Sequence, residues 1–322
     1  GRSVNGIRPI LKKELSDHFS SYRFLFLFAL IAMASLVLVY MAALDIEESL
    51  KGTQKPQFVF LMLFTSSKIQ FSLVQFVSFF GPLIGLIMGF DTINRERNEG
   101  TLSKLLSQPI YRDSVINGKF LAGVVVIGVM MASIILLITG LGIIMVGVKP
   151  GFEEFWRIFI YFIISVVYIS FWLGIAMLFS ILFRSIATSA LASIAMWIFF
   201  SFFVSLGVNA LISALVPSGG EATTRSVSQI IVINKVLTFT SPMKLYTDAT
   251  ATIIDPLRRT IQPFIVQMGM MEQWSMSRFS GPLPLMQSFM IVVPYILFLL
   301  AITVVCFAVS YLVFMRQEIR SV

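Results

Sequence analysis

The sequence predicts an all-α membrane protein with six transmembrane helices. Three observations predict it: 57% of the residues are hydrophobic and only 12% charged, the mean hydropathy is +0.90, and the apolar residues gather into runs long enough to cross a bilayer. Soluble domains carry roughly 25% charged residues, so little of the 322-residue chain is left to form one.

In chain order, Ile7, Ile10, Leu11, Leu15, Phe19 and Tyr22 recur every three to four residues, with Lys12, Lys13, Glu14 and Asp17 between them. That pattern predicts an amphipathic interface helix over 1–23, resting in the lipid headgroup plane. The first span, 24–44, has no charge over 21 residues, about 31 Å of helix. Residues 58–64 are apolar but too short to cross, and are expected to extend the second helix beyond the bilayer. The second span, 71–90, carries Gly81, Gly85 and Gly89 at intervals of four. Small residues at that spacing let a neighbouring helix approach closely; packing within the subunit, a dimer seam and a substrate path all fit it. Pro82 is placed to kink this helix.

Residues 91–119 form a polar island between two long apolar runs. Within it Leu102, Leu105 and Leu106 fall at i, i+3 and i+4, which predicts a short helix opening near Asn98 or Gly100 with one apolar edge. Pro109 ends it, and Asp113 or Ser114 caps the next helix. The third span is 120–148, the fourth 158–183 with Arg157 as its anchor, the fifth 187–216 and the sixth 288–315. The region 217–287 between the last two is read as short extracytoplasmic helices, some re-entrant, with Ser241 and Asp255 as helix starts before proline; a small globular cap competes with that reading.

None of these spans, so bounded, contains Asp, Glu, Lys, Arg or His, which argues against an ion-coupled site at mid-membrane. Gln75, Ser133, Ser165, Ser170, Ser193, Ser201 and Asn209 are expected to bond between helices. No G-x-x-x-x-G-K-[ST] occurs, so no ATPase is built into the chain. Catalytic pairs and metal ligand sets are also lacking; the single cysteine, Cys306, and the single histidine, His18, stand alone. The net charge of +8 marks inner loops rather than nucleic acid. With the amino terminus inside, 13 Lys or Arg lie on cytoplasmic pieces against five on short outer ones. Both termini and the polar island are therefore expected in the cytoplasm, with the chain in the cell membrane.

The island also carries a resemblance. Glu96, Arg97, Glu99, Gly100, Thr101, Leu102, Leu105, Leu106, Pro109, Arg112, Gly118 and Lys119 stand in the order found between spans 2 and 3 of ABC-2 type permeases, the type V ABC transporters. Lys13, Glu14 and Leu15, beside Lys12, resemble the K-E-L motif of that family's interface helix, and 241–246, SPMKLY, is similar to its (N/S)-P-x-x-x-Y element. The resemblance implies one transmembrane domain over 1–322 and a cytoplasmic coupling helix that docks on separate ABC ATPase subunits. The docking residues would be Glu96, Arg97, Glu99, Gly100, Thr101, Leu102, Leu105, Leu106 and Arg112. It implies a second permease copy or a homologue as partner besides membrane lipid, ATP and Mg²⁺ on the ATPase, and no cofactor here. Its members export lipids, lipid-linked glycans, peptides or drugs, or belong to the nitrous oxide reductase maturation type, and an amphiphilic cargo suits the apolar spans. The competing function is a non-transporting scaffold or a channel-like regulatory subunit.

Overall fold

The computed structural model describes residues 4–50, 58–65, 72–101, 112–147, 149–204, 206–207, 210, 236, 239–255 and 284–316. Among them there is no strand. The elements are α1 (Val4–Phe19), α2 (Tyr22–Leu50), α3 (Met62–Thr65), α4 (Leu73–Gly89), α5 (Asn94–Asn98), α6 (Arg112–Val146), α7 (Phe152–Leu182), α8 (Ile186–Ile198), α9 (Pro242–Ile254) and α10 (Leu285–Arg316). Among the described residues six helices, those of α2, α4, α6, α7, α8 and α10, are long and apolar enough to cross a membrane.

Local chemistry sets the helix starts. The Ser72 hydroxyl accepts from Gln75 N at 3.3 Å while the Gln75 side chain accepts from Ser72 N at 2.8 Å, a reciprocal cap that opens α4. Gly151 N donates to Glu154 Oε2 at 2.7 Å at the start of α7. Ser185 caps α8 through Thr188 N, and Ser241 caps α9 with Pro242 at its first position, where a missing N–H costs nothing.

Helix α7 is the centre of the bundle, packing against α4, α6, α8, α9 and α10. One detail shows how the apolar interior tolerates a proline. Pro82 has no N–H to give to the carbonyl four residues before it, that of Ser78. Tyr168 of α7 supplies the hydrogen instead, its hydroxyl donating to Ser78 O at 2.7 Å. Tyr168→Phe strands that buried carbonyl, and the expected loss is about 1–3 kcal/mol. Thermal unfolding in detergent checks this, and an unchanged melt would refute it.

Tyr168 also stacks on Tyr246 of α9, centroids 4.3 Å apart, and Tyr246 shares a hydrogen bond of 2.8 Å with Ser165. Seven residues on, the Ile253 carbonyl meets Arg157 near the start of α7. Thus α9 runs antiparallel to α7, its N-terminal half sunk between the spans. All thirteen of its residues except Lys244 are buried. The outward sides of α2 and α10 are instead apolar and exposed, with Leu25, Phe26, Leu30, Leu297, Val304 and Val305 among them. Hydrocarbon suits such faces. Phe152, Phe155, Trp156 and Phe159, exposed at the start of α7, form the aromatic girdle of one interface.

Several expectations change. Residues 58–64 do not extend the second helix: Phe58 has φ 58° and is followed by a 3-10 turn and α3, and a new cap at Ser72 opens α4. Phe60, Leu61, Leu63 and Phe64 are all 2% exposed or less, so this piece folds back into the core because it is too apolar to stay in water. Helices α2, α6, α7 and α10 outrun the spans read from the sequence at one end or both, because charged residues outside hydrocarbon still hold helical geometry. Helix α6 begins by Arg112, with Asp113 and Ser114 inside its first turn, and its 35 residues reach about 52 Å. As a result Lys119 and Arg157 fall within α6 and α7, near their ends. The fifth span turns π-helical at Phe199–Phe203, and 211–216 lie outside the described residues, as do 217–235 and 256–283. Most intramembrane hydroxyls bond within their own helix, Ser133 to Val129 O and Ser193 to Ser189 O. Gln75 caps α4, and Ser165 bonds across to Tyr246 of α9. Ser170 and Ser201 hydroxyls are buried without a hydrogen-bond partner; Asn209 is not described.

Candidate functional site

At the end of the bundle bearing α1, the residues around the polar island converge on one buried cation. Lys119, in the second turn of α6, has a side chain 3% exposed. Its ammonium is 2.8 Å from Glu14 Oε1 on α1 and 2.9 Å from Glu96 Oε1 on α5. Lys13 lies 3.8 Å from the same Glu96 oxygen but is 55% exposed, so water screens it and it adds little. Two carboxylates and two ammoniums balance, with Lys119 as the member that cannot reach solvent. His18, one turn beyond Glu14, has its pKa lowered, chiefly by burial, with Glu14 opposing.

Packing puts these groups in reach. Gly118 has no side chain, and a Cβ there would fall 2.8 Å from Ile10 Cγ2, so Ile10 and Glu14, one turn apart on α1, sit on Gly118 and Lys119. Helix α1 packs mainly on α6 and only lightly on α2, its neighbour in sequence. Helix α5 is held from the other side: the Ser180 hydroxyl of α7 accepts from Ile93 N at 2.9 Å and Asn94 N at 3.2 Å, and Ser189 of α8 donates to Phe90 O at 2.7 Å. Arg23 at the start of α2 pairs with Asp91.

The residues expected to dock therefore divide. Glu96 turns inward onto Lys119 and is 13% exposed, so in this chain its carboxylate serves the interior of the cluster. Glu99 is exposed and pairs with Arg95 at 3.1 Å; Arg97 and Arg112 are half-buried. Gly100 stands at φ 68° with open space around it, a left-handed position where a side chain would be strained. It ends α5, and Thr101 follows with its hydroxyl donating to Glu96 O at 3.2 Å. Leu102, Leu105, Leu106 and Pro109 lie outside the described residues. On the interface helix Lys12 is exposed, Leu15 half-buried and Glu14 buried, so Glu14 is not on the wet face where its neighbours place it. Gly81, Gly85 and Gly89 lie against Ile169, Leu173 and Ala176 of α7, inside one chain.

These elements, in this order, are those of a known family. The model for ABC-2 family transporter proteins matches residues 8–319, from within α1 to beyond α10. The chain belongs to this family. Comparison with curated proteins yields no match. The ABC-2 chain is thus the membrane subunit of an ABC transporter, a transport subunit rather than itself a catalyst, and subunits of this family associate with ABC ATPases.

The ABC-2 chain has a second buried charge at its opposite end, which the sequence reading treated only as an anchor. Arg157 is 0% exposed. Its guanidinium donates to Glu153 Oε1 at 2.8 and 3.1 Å, to Ile253 O at 2.8 Å and to Ser288 Oγ at 3.3 Å, and lies 5.6 Å from the centre of the Phe58 ring. Next to it, Glu154 accepts from Phe60 N at 3.1 Å. Two adjacent charged residues thus hold the Phe58–Phe60 turn, the last turn of α9 and the first turn of α10 to α7. The sequence signal was a charge cluster, Glu153, Glu154 and Arg157, at i, i+1 and i+4 beside an apolar run.

Proposed function

We propose that this ABC-2 chain is the permease through which separate ATPase subunits drive export of a hydrophobic or amphiphilic substrate. Two copies, or this chain and a homologue, form the pathway, with ATP and Mg²⁺ held by the ATPases. The observation that carries this reading is the ion cluster, which joins the interface helix, the start of the docking segment and the third span at one end of the bundle. The charge count favours the cytoplasm for that end, where ATP is. Glu99, Gly100 and Thr101 are exposed at the start of the docking segment, and the leucine edge of Leu102, Leu105 and Leu106 would fill an apolar groove, with Arg97 and Arg112 as polar rim.

The test is co-purification with the partner ABC ATPase from a co-expressing membrane. Leu102→Asp/Leu105→Asp buries two carboxylates in an apolar groove, so retention of the ATPase is expected to fall on the order of tenfold or more, while the permease itself still inserts. Undiminished retention and ATP turnover would overturn the docking role.

A further inference from the structure

From α6, Lys119 reaches both α1 and α5 at once, and with its side chain 3% exposed it does so where water cannot screen it. Its two carboxylate partners come from a helix 105 residues earlier and from the short helix α5. Helix α1 has no comparable hold on α2: it sits on α6, through Ile10 against Gly118 and Glu14 against Lys119. Helix α6 then continues unbroken to Val146, where Gly142 lies under Leu63 and Phe60, the turn that Glu154 holds.

We infer that Lys119 is a positioning residue that makes α1, α5 and α6 one moving body, so that a push on the docking segment moves the interface helix and the third span together. This rests on the ATPase-driven reading above. A charge buried between two opposite charges favours one arrangement strongly, because separating them would leave ions uncompensated in a low-dielectric site. Such a joint either holds or breaks, and that is what a rigid lever requires.

The experiment uses the full permease–ATPase complex in nanodiscs, with Cys306→Ser removing the single native thiol and paired spin labels read by pulsed electron resonance. One pair, Asp17→Cys with Leu121→Cys, spans α1 and α6; another, Asp17→Cys with Arg184→Cys, spans α1 and the turn between α7 and α8. All three positions are exposed. Trapping with ATP and vanadate is expected to shift the second distance and leave the first unmoved. In Glu14→Gln/Glu96→Gln/Lys119→Met, which removes all three charges without stranding any, the first distance broadens even without nucleotide.

A nucleotide-driven shift between α1 and α6 in the wild type would overturn the single body. A narrow first distance in the neutral variant would show that packing alone holds the helices, and would overturn the role of Lys119. If the ATPase is bound yet neither pair answers to nucleotide, the coupling is overturned and the moving body with it. If no ATPase binds, the functional reading fails at its own test, before any distance is measured.

Discussion

Replacing Arg157 with methionine is expected to release α9. The guanidinium is completely buried and ties α7 to the Ile253 carbonyl and the Ser288 hydroxyl. The carbonyl belongs to the last turn of α9, where the helix lacks onward N–H partners and its dipole is negative. Methionine fills much of the volume but donates nothing, so the carbonyl is left buried without its donor and Glu153 loses its cation. Breaking a buried ionic contact costs about 3–5 kcal/mol, and Glu153 recovers part of that by turning to solvent, being 39% exposed. Lysine keeps the charge but lacks the planar fork, so it cannot serve Glu153 and Ile253 together and should fall between. The measurement is labelling of Ile254→Cys in a Cys306→Ser background by a membrane-impermeant maleimide, beside thermal unfolding. Ile254 is 0% exposed; labelling should be slow with Arg157, fast with methionine and intermediate with lysine. Equal rates would show that α9 is held by its aromatic contacts alone.

What the sequence disclosed and what it concealed follow one physical line. Composition and run length decide how many helices lie in hydrocarbon, because every backbone group there must be satisfied within the segment; six spans were legible for that reason. The ends of those helices were not. Hydropathy stops where charges start, whereas α6 and α7 carry on through Arg112 and Phe152. That is why Lys119 and Arg157 read as residues bordering spans although both are buried inside helices. The partners of each come from distant parts of the chain, and no local periodicity encodes a contact between positions 14, 96 and 119. The same limit applies to 58–64: its apolar character was plain, yet the turn at Phe58 depends on Glu154, 94 residues away from Phe60. In the segment expected to dock, the motif picked out Glu96 and Glu99 alike, and the fold turned one inward and left the other in water.

Gly81, Gly85 and Gly89 should respond to alanine in a graded order that their spacing alone could not rank. A Cβ at Gly85 would fall 2.5 Å from Ile169 O and 2.7 Å from Leu173 N, backbone atoms of α7 that move only if the helices part. At Gly89 it would meet Ala176 Cβ at 2.7 Å and Leu173 O at 2.9 Å. At Gly81 the nearest atom is Ile169 Cγ1 at 3.3 Å, a side chain that can turn aside. Two effects oppose one another. Alanine favours the helix over glycine by roughly 0.5–1 kcal/mol, while overpacking a close contact costs about 1–3 kcal/mol or more. At Gly81 the propensity gain is comparable to the small displacement, so Gly81→Ala should melt near or slightly above wild type. At Gly85 the steric cost wins, and because α4 against α7 is a main seam of the core, Gly85→Ala should lower the melting temperature most and Gly89→Ala nearly as much. Gly85→Leu is expected not to assemble. Thermal unfolding of the three alanine variants in one detergent decides the matter: a Gly85→Ala protein as stable as wild type, or Gly81→Ala as the worst of the three, would place these glycines against something other than α7.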